Sequence, residues 1–343
     1  MHPKQFDKQK IFCYFVYEYI KMKNIAILTG GDSAEYDISI LSADTVLNHL
    51  NTKLFNSYII HLKDNRFSTL IKGIKTDIDK SNFTFEKDNK RISFDFIFMA
   101  LHGSPAENGL IQPYFDNLDI PYSSCNAKVS ELTFNKYECN KRLKELGFRC
   151  ADSFLYKKGD KIDKQKIINK VKLPCFVKPN ESGSSFGISK VKKEENLTTA
   201  INKALQHDNK VLIEQFINGT EISCGVYINK NIIQALPITE ILTENEFFDY
   251  EAKYKGESKE ITPARISKKL TIELQKLTKD IYKALKLSGI CRIDYIIMNE
   301  KPYIIEINTI PGLTEESIIP QQVKSANLKL SLIFESCLVD SKE

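Results

Sequence analysis

Two short apolar segments carry polar residues at alternate positions. Arg292 and Asp294 lie in Ile290–Met298, and Glu306 and Asn308 lie in Tyr303–Asn308. Side chains of a β-strand alternate between faces, so each pair shares one face of its strand. Both runs are rich in β-branched residues, and residues 299–302 between them have turn composition, which predicts a hairpin. A three-residue loop, 299–301, sets Asp294 opposite Glu306 and Arg292 opposite Asn308. A two-residue loop flips the second strand and separates the polar groups. On one face, two carboxylates and an amide oxygen make a hard-oxygen site suited to Mg²⁺ with a phosphate ligand. A solvated sheet face is the plainer reading of a single Asp/Glu pair. The very apolar strands and Pro311-Gly312 just beyond them favour metal and phosphate chemistry.

A second candidate lies upstream. Lys178 ends an apolar run and opens Lys178-Pro-Asn-Glu-Ser-Gly-Ser-Ser-Phe-Gly187, a loop rich in backbone N–H and hydroxyl donors. Such a loop can cradle phosphate, although it lacks the G-x-x-x-x-G-K-[ST] pattern of a P-loop. Alone it reads as an ordinary turn, and it gains weight from the oxygen site. Glu214-Gln215-Phe216-Ile217 followed by Glu221 suits adenosine recognition, with glutamates for the adenine edge and ribose hydroxyls. Taken alone, such glutamates are more often surface residues.

The elements that position these groups follow from periodicity. Asn24–Thr29, Ser57–His61 and Ile92–Leu101 read as strands, with a helix over residues 36–50 between the first two. This alternation predicts a parallel α/β sheet in residues 22–124. Ligands gather at the carboxyl ends of such strands, where Gly30-Gly31 and His102-Gly103 stand. Ser130–Gly147 reads as one helix with Ser130 as its N-cap. Pro174–Pro179, Val211–Ile217 and Glu221–Tyr227 read as further strands. Residues 244–264 have few apolar positions and read as a long surface loop of the kind used as a lid.

A chain of 343 residues is long enough for two or three domains. A net charge of +5, from 49 basic and 44 acidic residues, is mild and unclustered, which argues against a nucleic-acid partner. The eight cysteines include no C-x-x-C pair and the histidines no ligand spacing, so neither zinc nor a disulfide framework is expected and a reducing cytoplasm fits. No apolar run is long enough to span a membrane. Residues 1–21 carry an apolar stretch interrupted by Glu18 and form an extension to which no role is assigned.

Several motifs occur in a fixed order. They are Gly30-Gly-Asp-Ser-Ala-Glu35, His102-Gly103, Lys178-Pro with Gly183-Ser-Ser-Phe-Gly187, Tyr250-Glu-Ala-Lys-Tyr254, Arg292-Ile-Asp294 and Glu306-Ile-Asn-Thr-Ile-Pro-Gly312. Together they closely resemble the D-alanine–D-alanine ligases of the ATP-grasp superfamily, over about residues 22–335. The resemblance implies an α/β and α+β architecture: a Rossmann-like pre-ATP-grasp domain at 22–124, then a two-part ATP-grasp domain at 125–214 and 215–343. It further implies ATP-dependent joining of two D-alanines through a D-alanyl phosphate, for peptidoglycan precursors, by a cytoplasmic homodimer.

Residue by residue, the resemblance implies that Lys136, Lys178 and Lys253 contact ATP phosphates, while Glu214, Gln215, Phe216, Ile217 and Glu221 bind adenosine. Asp294, Glu306 and Asn308 would hold two Mg²⁺ ions, with Mn²⁺ as an alternative and Glu306 bridging. Glu35 would orient the first D-alanine and join Ser184 and Tyr254 in a hydrogen-bonded set. Arg292 and the Gly312 N–H would stabilise the oxyanion, and Ser317 and Ile318 would shape the second substrate site. Two departures stand out. The family's H-G-x-x-G-E-D-G reads His102-Gly-Ser-Pro-Ala-Glu-Asn-Gly109, and Glu181-Ser182 replaces a common basic–acidic pair. The alternatives are a D-alanine–D-lactate ligase, another carboxylate–amine ligase, or a silent ATP-binding protein. The Glu-Ala-Lys-Tyr254 motif resembles the dipeptide-forming type.

Overall fold

The structure is a computed structural model that describes residues 22–183, 187–243 and 258–339. The first sheet comprises β1 (Lys23–Gly30), β2 (Phe55–Lys63), β3 (Arg66–Ile71), β4 (Ile74–Asp77) and, beyond a small hairpin of β5 (Phe85–Lys87) and β6 (Lys90–Ile92), β7 (Phe96–Met99). Its strand order is β4-β3-β2-β1-β7. Only β2, β1 and β7 are parallel, while β3 and β4 extend the edge as an antiparallel meander. The expected all-parallel sheet is therefore mixed.

Strand β1 is apolar at consecutive positions because both faces are covered. Ile25 and Ile27 pack with Ala43 and Val46 of the helix Tyr36–His49, and Ala26 and Leu28 pack with Phe115 on the other side. The predicted strand Ile92–Leu101 is shorter than expected. Its first residue belongs to β6, which pairs with β5 instead of the main sheet.

The single helix expected over 130–147 is two. Asn126 caps Ala127–Phe134 by accepting from the Val129 N–H, and Asn135 caps Lys136–Glu145 by accepting from the Glu138 N–H. An asparagine that caps the second helix ends the first, because its own backbone is extended. Ser130 lies buried inside the first helix and is not its N-cap.

A second sheet, of β8 (Ser153–Lys157), β9 (Cys175–Pro179), β10 (Ser189–Val191) and β11 (Lys210–Gln215), has the antiparallel order β10-β9-β11-β8. The third sheet comprises β12 (Thr220–Asn229), β13 (Ile232–Thr243), β14 (Ser258–Ile261), β15 (Cys291–Met298) and β16 (Lys301–Asn308). Its order is β14-β13-β12-β15-β16, again antiparallel. Part of the expected 244–264 loop is thus strand: residues 258–261 pair with β13. Residues 244–257 lie outside the described residues.

The hairpin β15–β16 corrects one expectation and keeps its consequence. Met298 pairs with Lys301, so the loop is the two residues Asn299 and Glu300, both at positive φ as a type I′ turn requires. Farther from the turn, Asp294 still pairs with Glu306 and Arg292 with Asn308. The register shifts between Asp294 and Tyr295, where Ile305 is the extra residue of a β-bulge. The odd residue that the shared face demands sits in the strand and not in the loop.

Candidate functional site

A cavity of about 740 Å³ opens among the three sheets, a size suited to a nucleotide and small substrates. Glu35, Lys136, Lys178, Glu214, Gln215, Ile217, Glu221, Arg292, Glu306, Asn308, Gly312, Ser317 and Ile318 line it. Most sequence-predicted site residues therefore converge on one space from remote parts of the chain. Phe216 does not line it. Its ring packs edge-on against Phe176, which does, and under the Lys190 ammonium. Ser184, Lys253 and Tyr254 lie outside the described residues.

On the third sheet, Asp294 is a buried hub. Arg292 donates Nε to its Oδ1 at 2.9 Å and Nη2 to its Oδ2 at 2.8 Å. Ser223 Oγ donates to Oδ1 at 2.6 Å and Asn308 Nδ2 to Oδ2 at 3.0 Å. Because Asn308 gives its amino group to Asp294, its carbonyl oxygen remains as an acceptor. Glu306 stands beside them, 4.0 Å from the Lys136 ammonium. Among the described residues no three Asp, Glu, His or Cys side chains form a ready cage. The donor set of two carboxylates and an amide oxygen is nonetheless the hard-oxygen kind that Mg²⁺ takes. A cation there would share the Asp294 oxygens with Arg292.

Across the cavity, Lys178 of β9 reaches Glu214 of β11. Their Nζ and Oε2 atoms are 2.6 Å apart, with both side chains 8% exposed. Burial lowers the Lys178 pKa, but the Glu214 charge and hydrogen bond outweigh it and hold the ammonium above its ordinary value. Asn140 Nδ2 donates to the other Glu214 oxygen. Lys136 starts its helix against the loop after β9, its N–H on the Asn180 carbonyl and its Nζ on the Ser182 carbonyl at 2.7 Å. Glu181, one of the two departures, is pinned by Asn135 at 2.7 Å and Lys210 at 3.0 Å, so it braces the loop from outside.

Glu35 sits between two glycines. A Cβ on Gly183 would come within 2.8 Å of Glu35 Oε2, and one on Gly103 within 3.1 Å of the same oxygen. The absence of a side chain at both positions lets both loops approach this carboxylate closely. At the far end, a Cβ on Gly312 would lie 2.7 Å from Ser317 Oγ. Ser317 Oγ also meets Thr314 Oγ1 at 2.7 Å.

Two residues of the His102–Gly109 motif were given no role by the sequence. His102 is a buried clamp: Nδ1 donates to the Ile310 carbonyl at 2.8 Å, and Nε2 meets Ser42 Oγ at 2.8 Å. Ser42 Oγ in turn accepts the Leu313 N–H at 3.2 Å, so the first sheet is tied to the loop that carries Gly312. Burial pushes the His102 pKa down, and the Glu35 charge opposes it. Glu107 lines the cavity, and burial with the Glu35 charge pushes it up to about 8. The motif containing both residues was visible, but its partners lie on distant loops. Ala106, in the other departure, is fully buried and its carbonyl accepts from Gln112.

Two family models match the chain, D-ala D-ala ligase N-terminus over residues 24–125 and D-ala D-ala ligase C-terminus over residues 143–339. Among curated proteins, the D-alanine–D-alanine ligase of Phocaeicola vulgatus is 47% identical over 310 residues, 90% of this chain and 96% of that protein. That of Flavobacterium johnsoniae is 47% identical over 318 residues, 92% of this chain and 98% of that protein. Among solved structures, the VanG D-Ala:D-Ser ligase from Enterococcus faecalis superposes with a TM-score of 0.83 at 29% identity, covering 93% and 99% of the two chains. The ATP complex of the D-alanine–D-alanine ligase from Bacillus anthracis gives 0.74 at 28% identity, covering 93% and 97%.

Proposed function

The chain belongs to the D-alanine–D-alanine ligase family, and we propose on that premise that its cavity joins two D-alanines at the expense of ATP, for cell-wall precursors. The observation that carries this reading is the bulged register of β15–β16, which sets Arg292, Asp294, Glu306 and Asn308 on one sheet face, with Arg292, Glu306 and Asn308 lining the cavity and Asp294 buried beneath them.

Adenosine lies between Glu214–Ile217 and Glu221, with its phosphates toward Lys178 and Lys136. Glu214 already accepts from Lys178 and Asn140, which leaves about one lone pair on each oxygen for further donors. Asp294, Glu306 and Asn308 would hold the divalent cations, which neutralise phosphate charge when bound. Glu35 orients the ammonium of the first D-alanine, so that its carboxylate points at the γ-phosphate. A carboxylate oxygen attacks phosphorus, the P–O bond to ADP breaks, and an acyl phosphate results. The amine of the second D-alanine then attacks the acyl carbon. Arg292 and the Gly312 N–H act where the oxyanion develops, a contribution of about 3–4 kcal/mol per donor. Ser317 and Ile318 shape the pocket for this second substrate.

Ser184, Lys253 and Tyr254 take their roles from the family motif, and the shielding of the acyl phosphate from water is assigned to residues 244–257. We also assign one unit to each sheet, at 22–124, 125–214 and 215–343, in a cytoplasmic homodimer. Among the described residues no helix is long and apolar enough to cross a membrane.

Phosphate release by the purified chain with ATP and Mg²⁺ tests the reading. Turnover should require D-alanine, should not be supported by L-alanine, and should yield dipeptide even when D-lactate is present. No D-alanine-dependent turnover would overturn it.

A further inference from the structure

A carboxylate outside the motifs faces the cavity where the second amino acid must enter. Glu260 of β14 lines the cavity and pairs with Ile241 of β13. Two positions along β13, Thr239 pairs with Ser223, which pairs with Asp294. Paired residues share a face, as do residues two apart on one strand. Glu260 therefore projects from the same sheet face as Asp294 and its partner Glu306.

Its orientation is fixed from the opposite wall. Gln321 Nε2 donates to Glu260 Oε2 and to the Glu316 carbonyl, so one side chain binds Glu260 to the segment that carries Gly312 and Ser317. The charged groups facing Glu260 are Arg292, Asp294 and Glu316. Burial raises its pKa above the ordinary carboxyl value, Asp294 and Glu316 add to this, and the Gln321 hydrogen bond and Arg292 charge oppose it. The neighbouring carboxylates have other circumstances. Asp294 already accepts four hydrogen bonds, and Glu315 and Glu316 on the same rim are exposed to water.

Resting on the proposed ligation, the geometry points to Glu260 as the group that receives the ammonium of the second D-alanine and takes its proton. An N–H bond breaks and the proton passes to a Glu260 oxygen. The freed nitrogen lone pair forms the C–N bond to the acyl carbon, and the C–O bond to phosphate breaks with its electron pair leaving on phosphate. The nitrogen gives its second proton to the departing phosphate to leave a neutral amide, and the proton on Glu260 passes to solvent. A nucleophile that brings a hydroxyl in place of an ammonium lacks the positive charge that this carboxylate attracts, so Glu260 also favours binding of the amine for amide formation.

The test compares two nucleophiles for one acyl phosphate. Hydroxylamine is uncharged at neutral pH and attacks without first losing a proton, giving a hydroxamate, whereas D-alanine must be deprotonated. In E260Q the ratio of dipeptide to hydroxamate should fall at least about 100-fold at pH 7, the range of a lost general base. It should recover as rising pH supplies free amine, and E260D should restore part of it. An unchanged ratio, or an equal fall of both products, overturns the assignment. A wild-type chain that forms neither product would instead overturn the ligase reading.

Discussion

Arg292 closes a two-point contact on Asp294, its neighbour on the same strand face, with both donor–acceptor distances below 3.0 Å. The arginine that faces the cavity is thereby aimed by a buried carboxylate. An oxyanion donor must be in place before charge develops, and this pairing supplies that order in advance.

Replacing Arg292 with Ala should lower kcat about 10²–10³-fold, as for loss of one oxyanion donor. Arg292→Lys should recover little, because an ammonium cannot reproduce the planar two-point contact. Steady-state turnover of both variants checks this, and full activity in Arg292→Ala would remove the residue from the mechanism.

The Lys178–Glu214 pair is buried on both sides. Removing one partner strands a charge, so Lys178→Met should cost about 3–5 kcal/mol of stability. The double variant with Glu214→Gln should recover much of that loss, and chemical denaturation of the three proteins reads it. The raised Lys178 pKa contributes stability that is complete below the unfolded lysine value and lost only as pH rises through the folded one. The difference between wild type and Lys178→Met should therefore stay constant across neutral pH.

Glu107 gives the opposite kind of pH dependence. Its folded pKa of about 8 lies above the ordinary carboxyl value of 4.5. The folded state holds its proton more tightly than the unfolded chain, so stability is lost as pH rises from 4.5 through 8. Glu107→Gln stays neutral and should lack this loss. Melting curves at pH 5 and pH 8.5 should show the variant gaining on wild type at the higher pH.

Glu300 occupies a left-handed position, φ 58°, in the turn between β15 and β16. Glu300→Gly should raise stability by about 1 kcal/mol and leave turnover unchanged, because glycine adopts that conformation without a steric penalty. Deleting Ile305 removes the bulge and leaves a regular hairpin with Asp294 still opposite Glu306 and Arg292 opposite Asn308, because Ile304 and Glu306 already pair with the neighbours Tyr295 and Asp294. Turnover should therefore survive the deletion, while its loss would show that the pairing of these four residues is not enough to position them.

The polar pattern of β15 and β16 was legible because a period of two is local and needs no knowledge of the rest of the fold. The bulge was not legible, since Ile305 is one more apolar residue in an apolar run and only pairing distinguishes it. Likewise, Asn135 looked like a helix residue until its extended backbone and capping bond divided the segment in two. His102 and Glu260 depend on partners more than 60 residues away in sequence, Ile310 and Gln321, which no local pattern predicts.

The central claim is that a D-alanine carboxylate is phosphorylated and then displaced by an amine. Turnover of D-alanine labelled with oxygen-18 in its carboxylate tests this most directly, with mass analysis of the released phosphate. The account predicts one labelled oxygen in each phosphate formed together with dipeptide. Unlabelled phosphate released alongside dipeptide would contradict it.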